Sequence, residues 1–205
     1  PSLAPSTTIN VGLNYSRSIK PLNSTLSVAL FAQRTSDMLG TPFASNYSFV
    51  PPATLTMFPK NYNRVDDAGG EIRLEGKTDF NLHWDLSYAM AAVRDPDKCS
   101  MINFQRQTPV NSVIGGFEYV WGPLEFSAHA RWQSHYQDVA ADFSTFQLKN
   151  IKIKDFVTVN TRVGWKIDKH FMLSLSGQQL GTSRLKETSG LRIDRRIIAG
   201  LTAGF

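Results

Sequence analysis

The sequence lacks most of the features that mark the commonest classes of protein. Its one cysteine, Cys99, allows no internal disulfide, and no CxxC or Cys/His cluster is present to hold zinc. No apolar run approaches the roughly 18 residues of a transmembrane helix, and no useful stretch keeps a helical period of 3.6 residues. If the chain crosses a membrane, it must therefore do so with strands.

Charge is also sparse and scattered. The 205 residues include 22 Lys and Arg and 17 Asp and Glu, a net charge of +5, and only 19% are charged against 41% hydrophobic. Because no run of Lys and Arg and no basic helix appears, the composition argues against a dedicated nucleic-acid surface. The length indicates one domain, residues 1–205. The chain begins at Pro1 without a signal segment, so we expect a processed product or a piece of a longer protein.

The last eleven residues alternate strictly between two kinds of side chain. Every second residue from Phe205 back to Ile197 is apolar, whereas the other register is small or polar with the exception of Ile198. A period of two indicates a strand with one apolar and one polar face. The apolar register consists of Phe205, Ala203, Leu201, Ala199 and Ile197.

The same alternation recurs in eight earlier segments, which makes the chain all-β. Strand six alternates most cleanly, with Leu124, Phe126, Ala128, Ala130 and Trp132 on its apolar register. The predicted strands before the terminal one are about Thr8–Tyr15, Ser24–Thr35, Gly69–Lys77, Phe80–Arg94, Val113–Trp121, Leu124–His135, Asp155–Ile167 and Phe171–Gln178.

The connections between these strands are alternately short and long. The long ones are Ser36–Asp67, Asp95–Thr108, Gln137–Lys154 and Gly181–Leu191. This parity is typical of outer-membrane barrels, which have short periplasmic turns and long extracellular loops. We therefore predict an antiparallel up-and-down transmembrane β-barrel section of about nine strands that ends in the C-terminal Phe205.

Large aromatic side chains fall at both ends of the predicted apolar face. With Phe205 on the periplasmic side, five of them lie at that end, and Trp132 and Tyr136 lie at the other. Aromatic rings at two levels are expected at the two interfaces of a membrane. The predicted membrane-interface girdle comprises Trp84, Trp121, Trp132, Trp165, Phe171 and Phe205.

Charged residues fall on the opposite register of the same strands. Glu71, Arg73, Glu75 and Lys77 alternate with Ile72 and Leu74, and Glu125, His129 and Arg131 continue the pattern on strand six. A barrel gathers such side chains in a wet lumen. Opposite charges on neighbouring strands predict cross-strand pairs worth about 0.2–1 kcal/mol each.

Three segments carry a resemblance to a known family. They are Asp155–Trp165 (DFVTVNTRVGW), Leu173–Leu180 (LSLSGQQL) and the terminal Arg195–Phe205 (RRIIAGLTAGF). Together with the strand pattern of nearly the whole chain, they resemble the C-terminal part of the barrel of a TonB-dependent outer-membrane receptor. Gln179 stands where that family commonly has Asn, and Gly181 stands where an acidic residue often follows.

The resemblance implies a receptor of the bacterial outer membrane rather than an enzyme. Such a receptor imports a scarce ligand, such as a ferric siderophore or a cobalamin, with energy from the inner membrane. Because these barrels close with 22 strands around a plug, nine strands imply the C-terminal section of a larger barrel with no plug domain in this chain. The implied partners are outer-membrane lipid, the remaining barrel and plug section (in the same or a separate chain), and the energy-coupling protein of the inner membrane.

The loop at residues 46–64 is the predicted ligand-binding stretch. Its aromatic rings alternate with cations, which suits an anionic, partly aromatic metal chelate. A loop that packs on its own aromatic rings is the simpler alternative. The predicted ligand-binding residues are Tyr47, Phe49, Phe58, Lys60, Tyr62 and Arg64, and no cofactor or protein-bound metal is predicted.

Two other kinds of protein share parts of this pattern. One is a soluble β-sandwich or lipocalin-like carrier, which would bury the apolar face. The other is a small outer-membrane barrel, either a porin or a protease with Asp and His at its rim. His135 with Asp138, and Asp95 or Asp97, are the candidates for such a protease, but no activated Ser–His arrangement accompanies them.

Overall fold

A computed structural model of the chain describes residues 3–39, 43–48, 54–58, 61–96, 103–142 and 147–204. Among these residues, α1 (Phe104–Gln107) and one 3-10 turn (Lys20–Leu22) are the helical elements, and no helix is long and apolar enough to cross a membrane. The remaining elements are the strands β1 (Thr7–Ile19), β2 (Ser24–Leu39), β3 (Phe43–Ser48), β4 (Thr54–Phe58), β5 (Asn61–Lys77), β6 (Leu82–Arg94), β7 (Asn111–Trp121), β8 (Leu124–Gln133), β9 (Tyr136–Asp142), β10 (Gln147–Ile153), β11 (Phe156–Lys166), β12 (Phe171–Gln178), β13 (Arg184–Leu185), β14 (Ile193–Asp194) and β15 (Arg196–Ala203).

Nine of the strands form one antiparallel sheet in the order β1-β2-β5-β6-β7-β8-β11-β12-β15. Each strand pairs with the next sheet strand along the chain, so the sheet is an up-and-down meander with β1 and β15 at its edges. The predicted nine strands and their antiparallel up-and-down order are confirmed.

The connections sort to the two ends of the sheet as predicted. We call the end with residues 20–23, 78–81, 122–123 and 167–170 the short-turn end, and the opposite end the long-loop end. At the short turns, Asn23 (φ 43°), Asn81 (φ 60°) and Gly122 (φ 57°) adopt the left-handed backbone that tight turns require. The Asp168 carboxylate closes another turn by accepting hydrogen bonds from the backbone N–H groups of His170 (2.7 Å) and Phe171 (2.8 Å).

The long connections contain more regular structure than the sequence predicts. We expected Ser36–Asp67 to be irregular, but β2 extends to Leu39 and β5 begins at Asn61, because their pairing continues in the same register past Asp37 (φ 53°). Three separate hairpins stand beyond the sheet, formed by β3 with β4, β9 with β10, and β13 with β14.

The strand register places the predicted apolar residues together on one face of the sheet, which we call the apolar face. These side chains are exposed: Leu13 is 66% accessible and Leu201 66%, and Ile197 reaches 71%. A sandwich would cover this face with a second sheet. Among the described residues, the buried hydrophobic side chains are only Val65, Ile153, Phe156 and Leu185. The exposed apolar face therefore disfavours the sandwich and carrier alternatives.

Candidate functional site

A basic pocket of about 640 Å³ lies at the long-loop end, beyond the ends of β8 and β11. Its floor is apolar, and a single carboxylate, Asp155, is among its lining residues. Arg184 shares its charge with Asp194, since Nε lies 3.6 Å from Oδ1. The cations of this basic pocket are Lys152, Lys154, Arg184, Lys186 and Arg192.

A small hydrophobic cluster holds the walls of the basic pocket together. Ile153 at the end of β10, Phe156 at the start of β11 and Leu185 in β13 are buried against one another, and Ile153 is only 1% exposed. Tyr136 and Ile151 pack against them. Burial of these side chains fixes the β9–β10 hairpin and the segment after β12 relative to the sheet.

Polar contacts connect the segment at residues 186–190 to the same hairpin and to β8. Arg131 Nη2 lies 3.2 Å from Glu187 Oε1, and the Tyr136 hydroxyl donates a hydrogen bond to the Glu187 carbonyl. The Asp138 carboxylate accepts hydrogen bonds from the backbone N–H groups of Ser189 (2.5 Å) and Val139 (2.8 Å). The guanidinium of Arg131 also lies 5.8 Å from the centre of the Phe156 ring.

These contacts change the pKa values of two groups in the hairpin. Burial raises the pKa of the Asp138 carboxyl, but the hydrogen bonds from Ser189 and Val139 outweigh burial and bring this pKa below its ordinary value. Burial raises the pKa of the Tyr136 hydroxyl, and the negative charges of Asp138 and Glu187 raise it further. Asp138 therefore stays charged and Tyr136 stays a hydrogen-bond donor at neutral pH.

The arrangement suits the binding of an anion rather than catalysis. Lysine and arginine side chains around an apolar floor offer charge and contact area to an anionic organic molecule. Asp138, a candidate for the rim protease, uses both carboxylate oxygens to hold the backbone, and Asp95 accepts a hydrogen bond from the Phe104 N–H (3.2 Å). Asp97 lies outside the described residues. In the described ranges no group of three or more His, Cys, Asp and Glu side chains could hold a metal ion.

The predicted ligand-binding loop is only partly described. Tyr47 belongs to β3, Phe58 to β4 and Tyr62 to β5, but only their backbone is described, and Phe49 and Lys60 lie outside the described residues. Arg64 is described, and its Nε lies 3.2 Å from Asp66 Oδ2 on the apolar face of the sheet. The assignment of these six residues to ligand binding therefore stays a prediction.

The predicted girdle residues occupy the two ends of the apolar face. Trp121 and Trp165 share the cross-strand partner Leu124, and Phe171 pairs with Ala203 at the same short-turn end. Trp84 lies nearby on that face, where its indole covers Gly76. Trp132 lies at the long-loop end between Val113 and Val157, and Phe205 is outside the described residues. Their role at a membrane interface stays a prediction.

Three further aromatic residues join the short-turn end of the apolar face. The Phe80 and Tyr119 rings meet edge to face with centres 6.4 Å apart, and the Tyr119 and Phe126 rings stack at 6.5 Å. The sequence placed Tyr119 and Phe126 on the apolar register and predicted that strand four begins at Phe80, whereas the structure places Phe80 in the turn before β6.

The other face of the sheet carries the predicted charged residues. Glu125 receives two cations from β11, with Lys166 Nζ 2.6 Å and Arg162 Nη1 4.0 Å from its carboxylate oxygens. Arg73 and Glu75 pair along β5 at 3.2 Å. Because the cations are about half exposed and Glu125 is 28% exposed, water screens each pair, which is worth about 1 kcal/mol or less. Their role is to keep this face polar.

The basic pocket itself was missed by sequence reasoning. Its cations come from two segments, residues 152–154 and 184–192, that are far apart in the chain. Lys152-Ile-Lys154 with its buried Ile153 was the available signal, since alternation of lysine with an apolar residue indicates a strand end with one charged side.

Comparison with known proteins gives a consistent family for this geometry. The family model described as "TonB dependent receptor-like, beta-barrel" matches residues 1–178. No curated protein matches the chain. Among solved structures, the pyoverdine outer-membrane receptor FpvA from Pseudomonas aeruginosa is similar, with a TM-score of 0.75 at 14% identity over 99% of this chain and 30% of that one.

Two other solved structures show the same fold. The siderophore receptor PirA from Acinetobacter baumannii has a TM-score of 0.72 at 14% identity and covers 99% of this chain and 32% of its own. The FrpB iron transporter from Neisseria meningitidis has a TM-score of 0.66 at 16% identity and covers 97% and 31%. The chain thus spans about three tenths of the length of these proteins.

Proposed function

Because the chain belongs to the TonB-dependent receptor β-barrel family, we propose that residues 1–205 form the C-terminal barrel section of a bacterial outer-membrane receptor. The receptor binds a scarce anionic metal chelate, such as a ferric siderophore, and imports it with energy from the inner membrane. A cobalamin is the second candidate ligand. The family is one of receptors and transporters, not a class of enzymes.

The basic pocket is the observation that favours an anionic ligand. It brings five cations to the long-loop end, where a receptor in this orientation would meet its ligand outside the cell. The buried cluster of Ile153, Phe156 and Leu185 beneath it holds the segments that carry these cations in place. The ligand contacts both this pocket and the predicted loop at residues 46–64, whose aromatic residues supply stacking surfaces.

The exposed edges and faces of the sheet define the proposed partners. The apolar face meets outer-membrane lipid, and the polar face lines the lumen beside the plug. The edge strands β1 and β15 present unpaired backbone groups, which the remaining barrel section, in the same or a separate chain, satisfies. The plug in turn binds the energy-coupling protein of the inner membrane.

Ligand binding to charge variants of the full receptor tests the proposal. The triple variant Lys152→Gln, Lys154→Gln and Lys186→Gln removes three cations of the basic pocket. With an exposed charge worth about 0.2–1 kcal/mol, the Kd for an anionic ferric siderophore should rise roughly threefold to 150-fold, and uptake at low ligand concentration should fall. The matched control, Arg17→Gln, Lys20→Gln and Lys169→Gln, removes three cations at the short-turn end.

The control variant should bind the siderophore like the unchanged receptor, and a neutral chelate should lose little affinity in the triple variant. Equal Kd values for both variants would rule out the basic pocket as a ligand site. Tyr47→Ala with Tyr62→Ala tests the other predicted region in the same assay. If neither region alters binding or uptake of any metal chelate, the transport proposal itself fails.

A further inference from the structure

An arginine cluster interrupts the apolar face of the sheet at its long-loop end. Arg34 Nε lies 2.7 Å from Asp66 Oδ1, and Arg64 Nε lies 3.2 Å from Asp66 Oδ2. Arg94 of β6 stands opposite Asp66 in the strand register. On the apolar face the arginine cluster therefore sets three guanidinium groups against the Asp66 carboxylate, an excess of two positive charges on that face.

A recess lined by small side chains adjoins the arginine cluster on the same face. Ala32, Ala68 and Ala92 are cross-strand neighbours on β2, β5 and β6, and all three are exposed. They line a cavity of about 490 Å³ together with Ile9, Gln33, Arg34, Asp66, Asp67 and Arg94. Gln33 and Asp67 are cross-strand partners whose register turns their side chains to the opposite face of the sheet. We call this recess the alanine groove.

Longer apolar side chains border the alanine groove on the side away from the arginines. Leu30 on β2 and Met90 on β6 lie on the same face, two residues further toward the short-turn end, and are 51% and 49% exposed. The groove is thus continuous with the rest of the apolar face and opens directly onto the arginine cluster.

The position of the arginine cluster matches the boundary of a bilayer. Charged side chains on the lipid face of a barrel are costly at the membrane midplane and nearly free of cost near the interface. The arginine cluster begins two residues beyond the alanines along each of β2, β5 and β6. The apolar surface therefore changes to charged surface at the same height on all three strands. That is the level at which lipid headgroups lie, provided that the apolar face meets lipid as proposed above.

We propose that the arginine cluster and the alanine groove together bind one phosphate-bearing membrane lipid. Guanidinium groups pair with phosphate oxygens through two parallel hydrogen bonds, which an ammonium group cannot match. The excess of two positive charges attracts the phosphate, while the alanine groove accepts the first part of an acyl chain. A free anion would use only the arginines and leave the groove unfilled.

Retention of lipid by the purified receptor tests this site. The receptor is incorporated into mixed vesicles of phosphatidylcholine and phosphatidic acid, extracted in mild detergent and analysed by native mass spectrometry for bound lipid. We expect one phosphatidic acid molecule to be retained in preference to phosphatidylcholine. In Arg34→Gln with Arg94→Gln, its retention should fall roughly tenfold to thirtyfold, because a basic residue beside anionic lipid is worth about fivefold.

Two further variants separate the parts of the site. Arg17→Gln with Arg106→Gln removes the same charge from places outside the site, at the short-turn end and on α1, and should leave retention unchanged. Ala68→Leu keeps every charge but fills the alanine groove, and should weaken retention of phosphatidic acid. Migration on an unheated gel, which differs between folded and unfolded barrels, verifies that each variant is folded.

Several results would overturn the lipid site. Equal retention of the two lipids would reduce the groove to ordinary apolar surface, and unchanged retention in the Arg34/Arg94 variant would exclude the arginine cluster. Displacement of the bound phosphatidic acid by millimolar inorganic phosphate would make the cluster a simple anion site. Each of these outcomes leaves receptor insertion intact, whereas failure of the receptor to insert into vesicles would contradict the proposed function instead.

Discussion

At the scale of single residues, glycines on the sheet make room for rings on neighbouring strands. A side chain at Gly76 would begin 2.8 Å from the Trp84 indole, and one at Gly69 would begin 2.8 Å from the Phe31 ring. Each ring packs on the backbone that is exposed at its glycine, and this packing stabilises a glycine within a strand. Gly76 and Trp84 are cross-strand partners, so that the position of the ring depends on the absence of a side chain opposite.

Gly76→Val should therefore destabilise the barrel. The added side chain forces Trp84 out of its place, and overpacking of this kind costs about 1–3 kcal/mol. Gly12→Val is the matched control, because a side chain at Gly12 would meet only the Leu30 carbonyl oxygen, at 3.6 Å. Urea unfolding of the receptor in vesicles, followed by tryptophan fluorescence, measures both. Equal loss of stability in the two variants would show that the cost comes from strand glycines in general, not from the ring.

At the scale of elements, the sequence predicted the sheet but not what stands beyond it. Strands such as β8 and β11 alternate over ten or eleven residues because one face must be apolar along its whole length. The β9–β10 hairpin lies beyond the sheet and does not need one continuous apolar face. Its position depends on contacts between distant residues, such as Tyr136 with Glu187 and Asp138 with Ser189, that leave no local pattern. For the same reason the basic pocket could not be found from the sequence.

The Asp138 contact should depend on pH in a defined direction. Its pKa in the folded protein lies below the ordinary 3.8. The carboxylate therefore stabilises the fold above pH about 4, and this contribution is lost as the pH falls through the lowered pKa. Carboxyl NMR titration of the receptor in detergent should give Asp138 a midpoint below 3.8.

Asp138→Asn should abolish this contribution to the pH dependence, because the Asn side chain does not titrate. We expect the variant to show faster protease cleavage at residues 186–190 at neutral pH, since the amide keeps one acceptor oxygen for the two N–H groups of Ser189 and Val139, and this neutral oxygen is the weaker acceptor. A midpoint at or above 3.8 for Asp138 would mean that burial outweighs the hydrogen bonds. The hairpin contact would then contribute no stability through ionisation.

At the scale of the whole molecule, the difference between the two faces of the sheet determines the surroundings that the protein requires. A sheet with one exposed apolar face and one charged face has no stable place in water, and its unpaired edges β1 and β15 recruit other strands. Lipid on the apolar face, and further strands at both edges, resolve both problems at once. The alternation of short turns and long loops then follows from the different surroundings of the two ends.

Thiol labelling along β8 tests this central claim most directly. Single cysteines replace Leu124 through Gln133 in turn, in a receptor in which Cys99 is Ser, and are exposed in outer membranes to a charged, membrane-impermeant maleimide. Alternate positions should behave differently, because successive side chains of a strand point to opposite faces. We predict protection at 124, 126, 128, 130 and 132 and reaction at 125, 127, 129, 131 and 133. Uniform labelling, or protection of the odd positions instead, would contradict the account.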